Sequence, residues 1–320
     1  MAVKITNPVS LLYYPKSVVN DQQVELGCIS DNSDIKDEID FRLSVGTEGA
    51  IVRVEYRRNG RSDNTDDGNH TKIKEEFEVS FLRLIEYLPR NESAVSLGYD
   101  WNQDEVLQTM DLSHWDAFSL ISEDEYGVLH FYVQTKGGAL RLSFKFSTYD
   151  IEELQMSANR IKVDVSIRGF HWLQNNTLLA LMSVVKSKTE LNTHYSASKD
   201  MKEGRMQPTD VTVTFNNATL PFGEFFWAKY VDIENGTKTA EVMATSPAGD
   251  LSEDASSQPI AFTFLNSNNA SLIYWDPEAG VGYPKHENIY SSIETSMGRM
   301  GTTCVLVSIV GVALSIVLVI

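Results

Sequence analysis

The stretch NRIKVDVSIRGF alternates strictly. Ile161, Val163, Val165 and Ile167 fall at one parity, and Lys162, Asp164, Ser166 and Arg168 at the other. Successive side chains on an extended strand point to opposite faces, so this spacing suits a half-buried strand and not a helix. The pattern returns in ALRLSFKFS, where Leu140, Leu142, Phe144 and Phe146 alternate with Arg141, Ser143 and Lys145. VLHFYVQ precedes it across TKGG, which has the composition of a hairpin turn. Further runs of this kind are IVRVEY, FEVSF, VTVTF, FFWAKYVDI, TAEVMA, IAFTFL and SLIYW. Val, Phe, Tyr and Thr dominate them, and these side chains fit a pleated surface. Helical spacing is scarce before the C-terminal end, although YDIEELQMSA has room for one or two turns. The expected fold is all-β: an antiparallel β-sandwich or jelly-roll-like body, followed by a C-terminal hydrophobic membrane helix.

The polar segment STYDIEELQMSAN suggests a boundary. Residues 1–148 are expected to form a first β-rich domain, 149–159 a polar connector and 160–280 a second β-sandwich domain. Residues 281–301 then make a juxtamembrane spacer, and 302–320 a transmembrane helix or anchor signal. A single fused double-sheet body is the alternative, and 42% apolar residues over 320 positions supply a core for either.

The chain closes on CVLVSIVGVALSIVLVI, with no charged residue from Cys304 onward. As a helix this run spans about 25 Å, and the preceding Gly301, Thr302 and Thr303 bring it to the thickness of a hydrocarbon core. It is apolar on every face, unlike a helix of a soluble core. Three readings stay open: a spanning helix, a tail anchor, or a signal replaced by a glycolipid anchor. For the last, Ser291 and Ser296 are the attachment candidates, Ile293 being a poor fit beside the former. The sequons weigh against a tail anchor, which would leave them in the cytosol. Asn-X-Ser/Thr occurs at Asn69, Asn91, Asn175, Asn217, Asn235 and Asn269, and DDGNHT, ENGT and NSNNAS have the composition of surface turns. An extracellular body on a C-terminal anchor follows as the expectation. MAVKITNPVSLLYYPKSVVN lacks the apolar core of a signal peptide, so the expectation requires that Met1 be internal to a longer precursor. The cytosolic alternative requires no such precursor.

A formal net charge of −17 disfavours nucleic acid as a partner, because phosphate binding needs clustered Lys and Arg. Of the two cysteines, Cys28 and Cys304, one lies in the apolar tail, so no disulfide is expected within the soluble part. The densest acidic patch is DNSDIKDEID, with Asp31, Asp34, Asp37, Glu38 and Asp40. DNTDDGNHTKIK opens like a calcium loop, with Asp63, Asp66, Asp67 and a glycine at the sixth position. Thr65 and Lys74 stand where its third and twelfth ligands belong, so weak calcium binding at most is expected there. No dedicated metal site and no cofactor are expected.

The sequence contains no nucleophile elbow, zinc-binding histidine pair, P-loop or dinucleotide fingerprint, and its six histidines are scattered singly. A non-enzymatic protein is expected. FGEFFWAKY packs Phe222, Phe225, Phe226, Trp227 and Tyr230 into nine residues, and core packing is its expected role. The segments DVTVTFNNATLPFGEFFWAKY, IAFTFLNSNNASLIYWDP and VGVALSIVLVI resemble the skeletal organic matrix proteins of stony corals. That resemblance implies a secreted or surface protein held in a calcium carbonate skeleton, with matrix components or the mineral surface as partners and no known catalysis. The chain lacks the poly-Asp tract associated with such proteins, which counts against direct mineral nucleation. A membrane-tethered glycoprotein of the extracellular matrix is the expected function. A receptor or lectin-like ectodomain that binds a soluble partner is the alternative.

Overall fold

The computed structural model describes residues 16–20, 22–32, 35–61, 70–90, 98–147, 151, 154, 156, 160–187, 192–196, 208–214, 222–228, 230–234, 238–247 and 257–282. Asp34, Asp63, Asp66, Asp67, Asn69, Asn91, Asn217, Asn235, Ser291, Ser296 and the expected membrane segment lie outside the described residues. Among the described residues every regular element is a strand, and every pairing is antiparallel. No helix among them is long and apolar enough to cross a membrane.

The first strands form a meander: β1 (Lys16–Asn20), β2 (Gln23–Asn32), β3 (Ile35–Gly46), β4 (Gly49–Arg61) and β5 (His70–Leu88). β6 (Glu105–Asp111) pairs with the far end of β5. β7 (Ser122–Glu123), β8 (Leu129–Gln134), β9 (Leu140–Phe146) and β10 (Arg160–Arg168) make a second meander. β11 (Leu178–Ser187) returns to the first sheet and pairs with β5. β12 (Asn192–Ser196), β13 (Pro208–Thr214) and β14 (Phe222–Ala228) form a third run. β15 (Tyr230–Ile233), β16 (Lys238–Thr245), β17 (Ser257–Phe264), β18 (Leu272–Trp275) and β19 (Glu278–Gly282) complete the set.

Two arms result. One runs β1-β2-β3-β4-β5-β11-β17-β16, with β6 beside β4 on the same edge of β5. In the other, β7, β8 and β9 lead to β10, which meets both β18 and β19 on its far edge. β18 continues to β15 and β19 to β14. Because the first half of β16 pairs with β15 and its second half with β17, the two arms are a single connected sheet. All nineteen strands belong to one compact unit, Met1–Asn216 with Pro221–Gly282. The second unit, Asn217–Leu220 with Tyr283–Ile320, lies outside the described residues.

Side chains from the arms meet in one core. The Phe41 and Phe146 rings pack edge to face at 5.4 Å, and Phe81 lies 6.3 Å from Phe225. Trp227, Phe262 and Trp275 gather beside them, with ring centroids 5.0 and 4.9 Å apart. Phe225 and Trp227 are fully buried, two apart on β14, as strand parity requires. Gly223, at the same parity, is set by close approach: a Cβ there would lie 2.2 Å from the Phe77 ring. Strands from either side of residues 149–159 thus pair directly, β5 with β11, and share this core. The alternation read in β10 is reproduced, with Ile161, Val163, Val165 and Ile167 all buried. Asp164 and Ser166 are buried as well, which the pattern did not anticipate. Lys145 covers Asp164 with a 2.7 Å ion pair, and Tyr274 lies on its other side, its hydroxyl pKa raised by burial and by the Asp164 charge.

Candidate functional site

The loop 169–177 leaves β10 and enters β11. Gly169 opens it with φ of +59°, a left-handed conformation that residues with a Cβ rarely adopt. Its amide donates to the Ser271 carbonyl, which ties the loop to the turn joining β17 and β18. In that turn Asn266 and Asn269 take φ of 59° and 56°, and asparagine is one of the few side chains that tolerates this region. Two more bonds staple loop to turn. The Trp172 indole N–H donates to the Ala270 carbonyl at 3.2 Å, and Asn268 Nδ2 donates to the Asn175 carbonyl at 3.1 Å.

The anchor beneath the loop is Glu86, a charged residue inside the apolar run FLRLIEYL of β5 and 0% exposed. Its carboxylate accepts from the amides of Leu173 and Gln174 at 2.9 and 3.1 Å. It also accepts from Thr177 Oγ1 and Gln108 Nε2, both at 2.5 Å. Gln108 Nε2 reaches the His171 carbonyl too, at 2.6 Å, so β6 holds the same loop from its side. Burial pushes the Glu86 carboxyl up, but the bonds from Thr177, Leu173, Gln108 and Gln174 outweigh it and hold its pKa below the ordinary value. A buried carboxylate needs such partners, and here the backbone supplies two of them.

With its backbone held, the loop packs Phe170 and Trp172 against the core and leaves Leu173 and Asn175 exposed. Phe170 and Trp172 pack edge to face at 5.3 Å and are half-buried. Leu173 is 52% exposed, and Val106 of β6 is exposed as well. Asn175, in the loop, and Asn269, in the turn, are both exposed. Tertiary pairing therefore brings two of the sequence-predicted acceptors onto neighbouring turns. Their hydroxyl residues differ: Thr177 is buried on Glu86, whereas Ser271 is exposed.

The acidic patch has a different fate. Asp31 lies in β2 opposite Lys36, and Asp37 in β3 opposite Arg58, while Glu38 and Asp40 occupy the charged face of β3. Arg57 Nη1 of β4 sits 3.4 Å from Glu38 and 3.2 Å from Asp40, and its Nε binds Glu55. Lys74 reaches Glu55 at 3.0 Å. One step along, Arg42 pairs with Glu25 at 2.6 Å, Arg53 with Glu78 at 2.8 Å, and Lys186 with Glu78 at 3.6 Å. The face is a ladder of cross-strand ion pairs, interrupted by a shallow dent between Glu25, Asp40, Arg42, Arg53 and Glu55. Among the described residues no three His, Cys, Asp or Glu side chains converge in a way that would hold a metal ion.

Glu86 escaped the sequence reading. A glutamate in step with Leu82, Leu84 and Leu88 of the same run was the available signal, but its loop partners lie 87 to 91 residues away. Comparison with protein-family models and with curated proteins finds no match to this chain.

Proposed function

We propose that the protein is a non-enzymatic, N-glycosylated extracellular protein, tethered to the membrane by its C-terminal segment, that acts through the surfaces of a β-sandwich. In this reading the two arms joined at β16 are the faces of the sandwich. The observation that carries it is the placement of Asn175 and Asn269, both exposed on adjacent turns. A glycan needs an acceptor at the surface in a turn, and these two sites meet that requirement. The resemblance to coral skeletal matrix proteins adds a setting: retention in the organic matrix of a calcified skeleton. Since Arg57 already compensates Glu38 and Asp40, contact with matrix or mineral in this setting is through whole surfaces and glycans rather than through ions bound at that patch.

A receptor or lectin-like ectodomain is the second reading, favoured by Leu173, exposed in the loop next to half-buried Trp172. Both readings place the sequons outside the cytosol, so one experiment tests their common ground. The native protein is treated with a peptide N-glycosidase, and its mobility and its glycopeptides are compared before and after. A downward shift with sugar mapped to Asn175 or Asn269 is expected. Unchanged mobility with bare peptides at every sequon overturns the extracellular reading and favours a cytosolic, tail-anchored protein.

A further inference from the structure

The two described acceptors differ in the residue that completes the sequon. Asn175 and Asn269 are both exposed, and so is Ser271, the hydroxyl residue of the second site. Thr177, the hydroxyl residue of the first, is 0% exposed. Its Oγ1 lies 2.5 Å from Glu86 Oε1 and 2.9 Å from the Gln174 carbonyl, so its one proton is committed to acceptors inside the fold. The chain on either side is held too. Glu86 accepts from the Leu173 and Gln174 amides, the Asn175 carbonyl accepts from Asn268 Nδ2, and buried Leu178 pairs with Tyr87 of β5. A sequon takes serine or threonine at its third position, and what those two share is a hydroxyl on Cβ. A transferase that reads the sequon must therefore reach that hydroxyl while the asparagine reacts. In the transfer, the Asn175 carboxamide nitrogen bonds to the anomeric carbon of a lipid-diphosphate oligosaccharide. The bond from that carbon to the diphosphate oxygen breaks, the lipid diphosphate leaves with the electron pair, and one amide proton is released. In the folded chain the asparagine is within reach and its hydroxyl partner is not. Freeing Thr177 means lifting the loop off a buried carboxylate, which strips Glu86 of several donors at once.

We propose that docking of Thr177 on Glu86 closes the Asn175 sequon, so that Asn175 accepts a glycan only while the loop 169–177 is off β5. A sugar carried there was attached before this end of the fold closed. The inference deepens the glycoprotein reading above and rests on it. Because the Asn175 side chain itself points to solvent, a sugar already attached does not oppose closure. Glu86 thus has a second role besides holding the loop: it sets the end of the interval in which this site is open.

The test makes the full chain by cell-free translation with a purified single-subunit oligosaccharyltransferase and its lipid-linked donor. These are supplied either from the start or only after synthesis and folding are complete, and glycopeptides are quantified by mass spectrometry. Sugar at Asn175 is expected in the first arm, and at least about tenfold less in the second, where the loop must open locally before transfer. Glu86→Ala should raise late transfer at Asn175 by about tenfold. Leu142→Ala, which truncates a fully buried core residue of β9 and weakens the whole fold, should raise it less. Equal transfer in the two arms, an equal rise in the two variants, or an Asn175 bare in both arms while other sequons are modified each overturn the proposal alone. Bare peptides at every sequon of the native protein overturn the glycoprotein reading and this proposal with it.

Discussion

Two regions of this molecule handle charge in opposite ways. On the outer face of β2, β3, β4 and β5, acids and bases pair across strands in half-exposed rungs, and most partners touch more than one neighbour. At the end closed by the loop 169–177, a single buried carboxylate is fed by amides, a hydroxyl and a carboxamide. The ladder is rich in pairs but redundant, since water and neighbouring charges can replace any one partner. Exposed pairs of that kind contribute about 0–1 kcal/mol each. Glu86 has no such substitute. Removing it strands buried donors whose desolvation is then uncompensated. Number of contacts is thus a poor guide to which region holds the structure.

The largest effect is expected from Glu86→Ala, which should destabilise the protein by about 2–4 kcal/mol in chemical denaturation, because several donors lose one acceptor together. Protease cleavage within residues 169–177 should rise in the same variant. If Glu86→Ala proves no worse than a ladder variant, the contrast between the regions fails.

Acid sharpens the same comparison. The Glu86 pKa is held below its ordinary value in the folded state, so the unfolded chain binds its proton first as pH falls. Its contribution to stability is complete at neutral pH. It declines once pH drops below the ordinary carboxylate range near about 4.3 and is gone below the folded value. Stability measured from pH 7 to pH 3 should therefore converge between the parent and Glu86→Gln, whose amide does not titrate. Parallel curves would mean that Glu86 carries no such linkage.

Smaller still are the ladder variants. Arg57 faces Glu38, Asp40 and Glu55 together, and these carboxylates would repel one another without it. Arg57→Ala should cost about 1 kcal/mol, partly recovered in high salt as the repulsion is screened. Arg42→Ala, which breaks one exposed pair with Glu25, should stay within about 0.5 kcal/mol. An Arg57 effect that grows with salt would show that the ladder works by something other than charge.

Much of the strand content was legible because parity is a local property. IKVDVSI, LRLSFKF and IAFTF announce their faces through covalent geometry alone, and the strands β10, β9 and β17 occupy those stretches. The turn character of NSNNAS was legible for the same reason, since Asn tolerates the left-handed backbone found at Asn266 and Asn269. What was not legible is adjacency. Nothing local to Asn175 shows that Asn268, 93 residues on, will bond to its carbonyl. Nothing local to FLRLIEYL shows whether its glutamate is an intrusion or an anchor.

The sequence by itself determined which side chains share a face, where turns interrupt the strands, and that the body would be built from antiparallel sheet. Tertiary structure decided which of those faces are covered. The outer side of β5, β11 and β17 reads as ordinary strand parity, yet Tyr99 and Trp101 lie over it, with Tyr87 and Tyr99 rings 4.9 Å apart, and make a second buried cluster there. Asp164, at a polar parity, is buried beneath Lys145 and beside Tyr274 for the same reason. Alternation is written by each residue's bonds to its neighbours. Burial is a collective quantity, set by which distant strands pair and what then rests upon them.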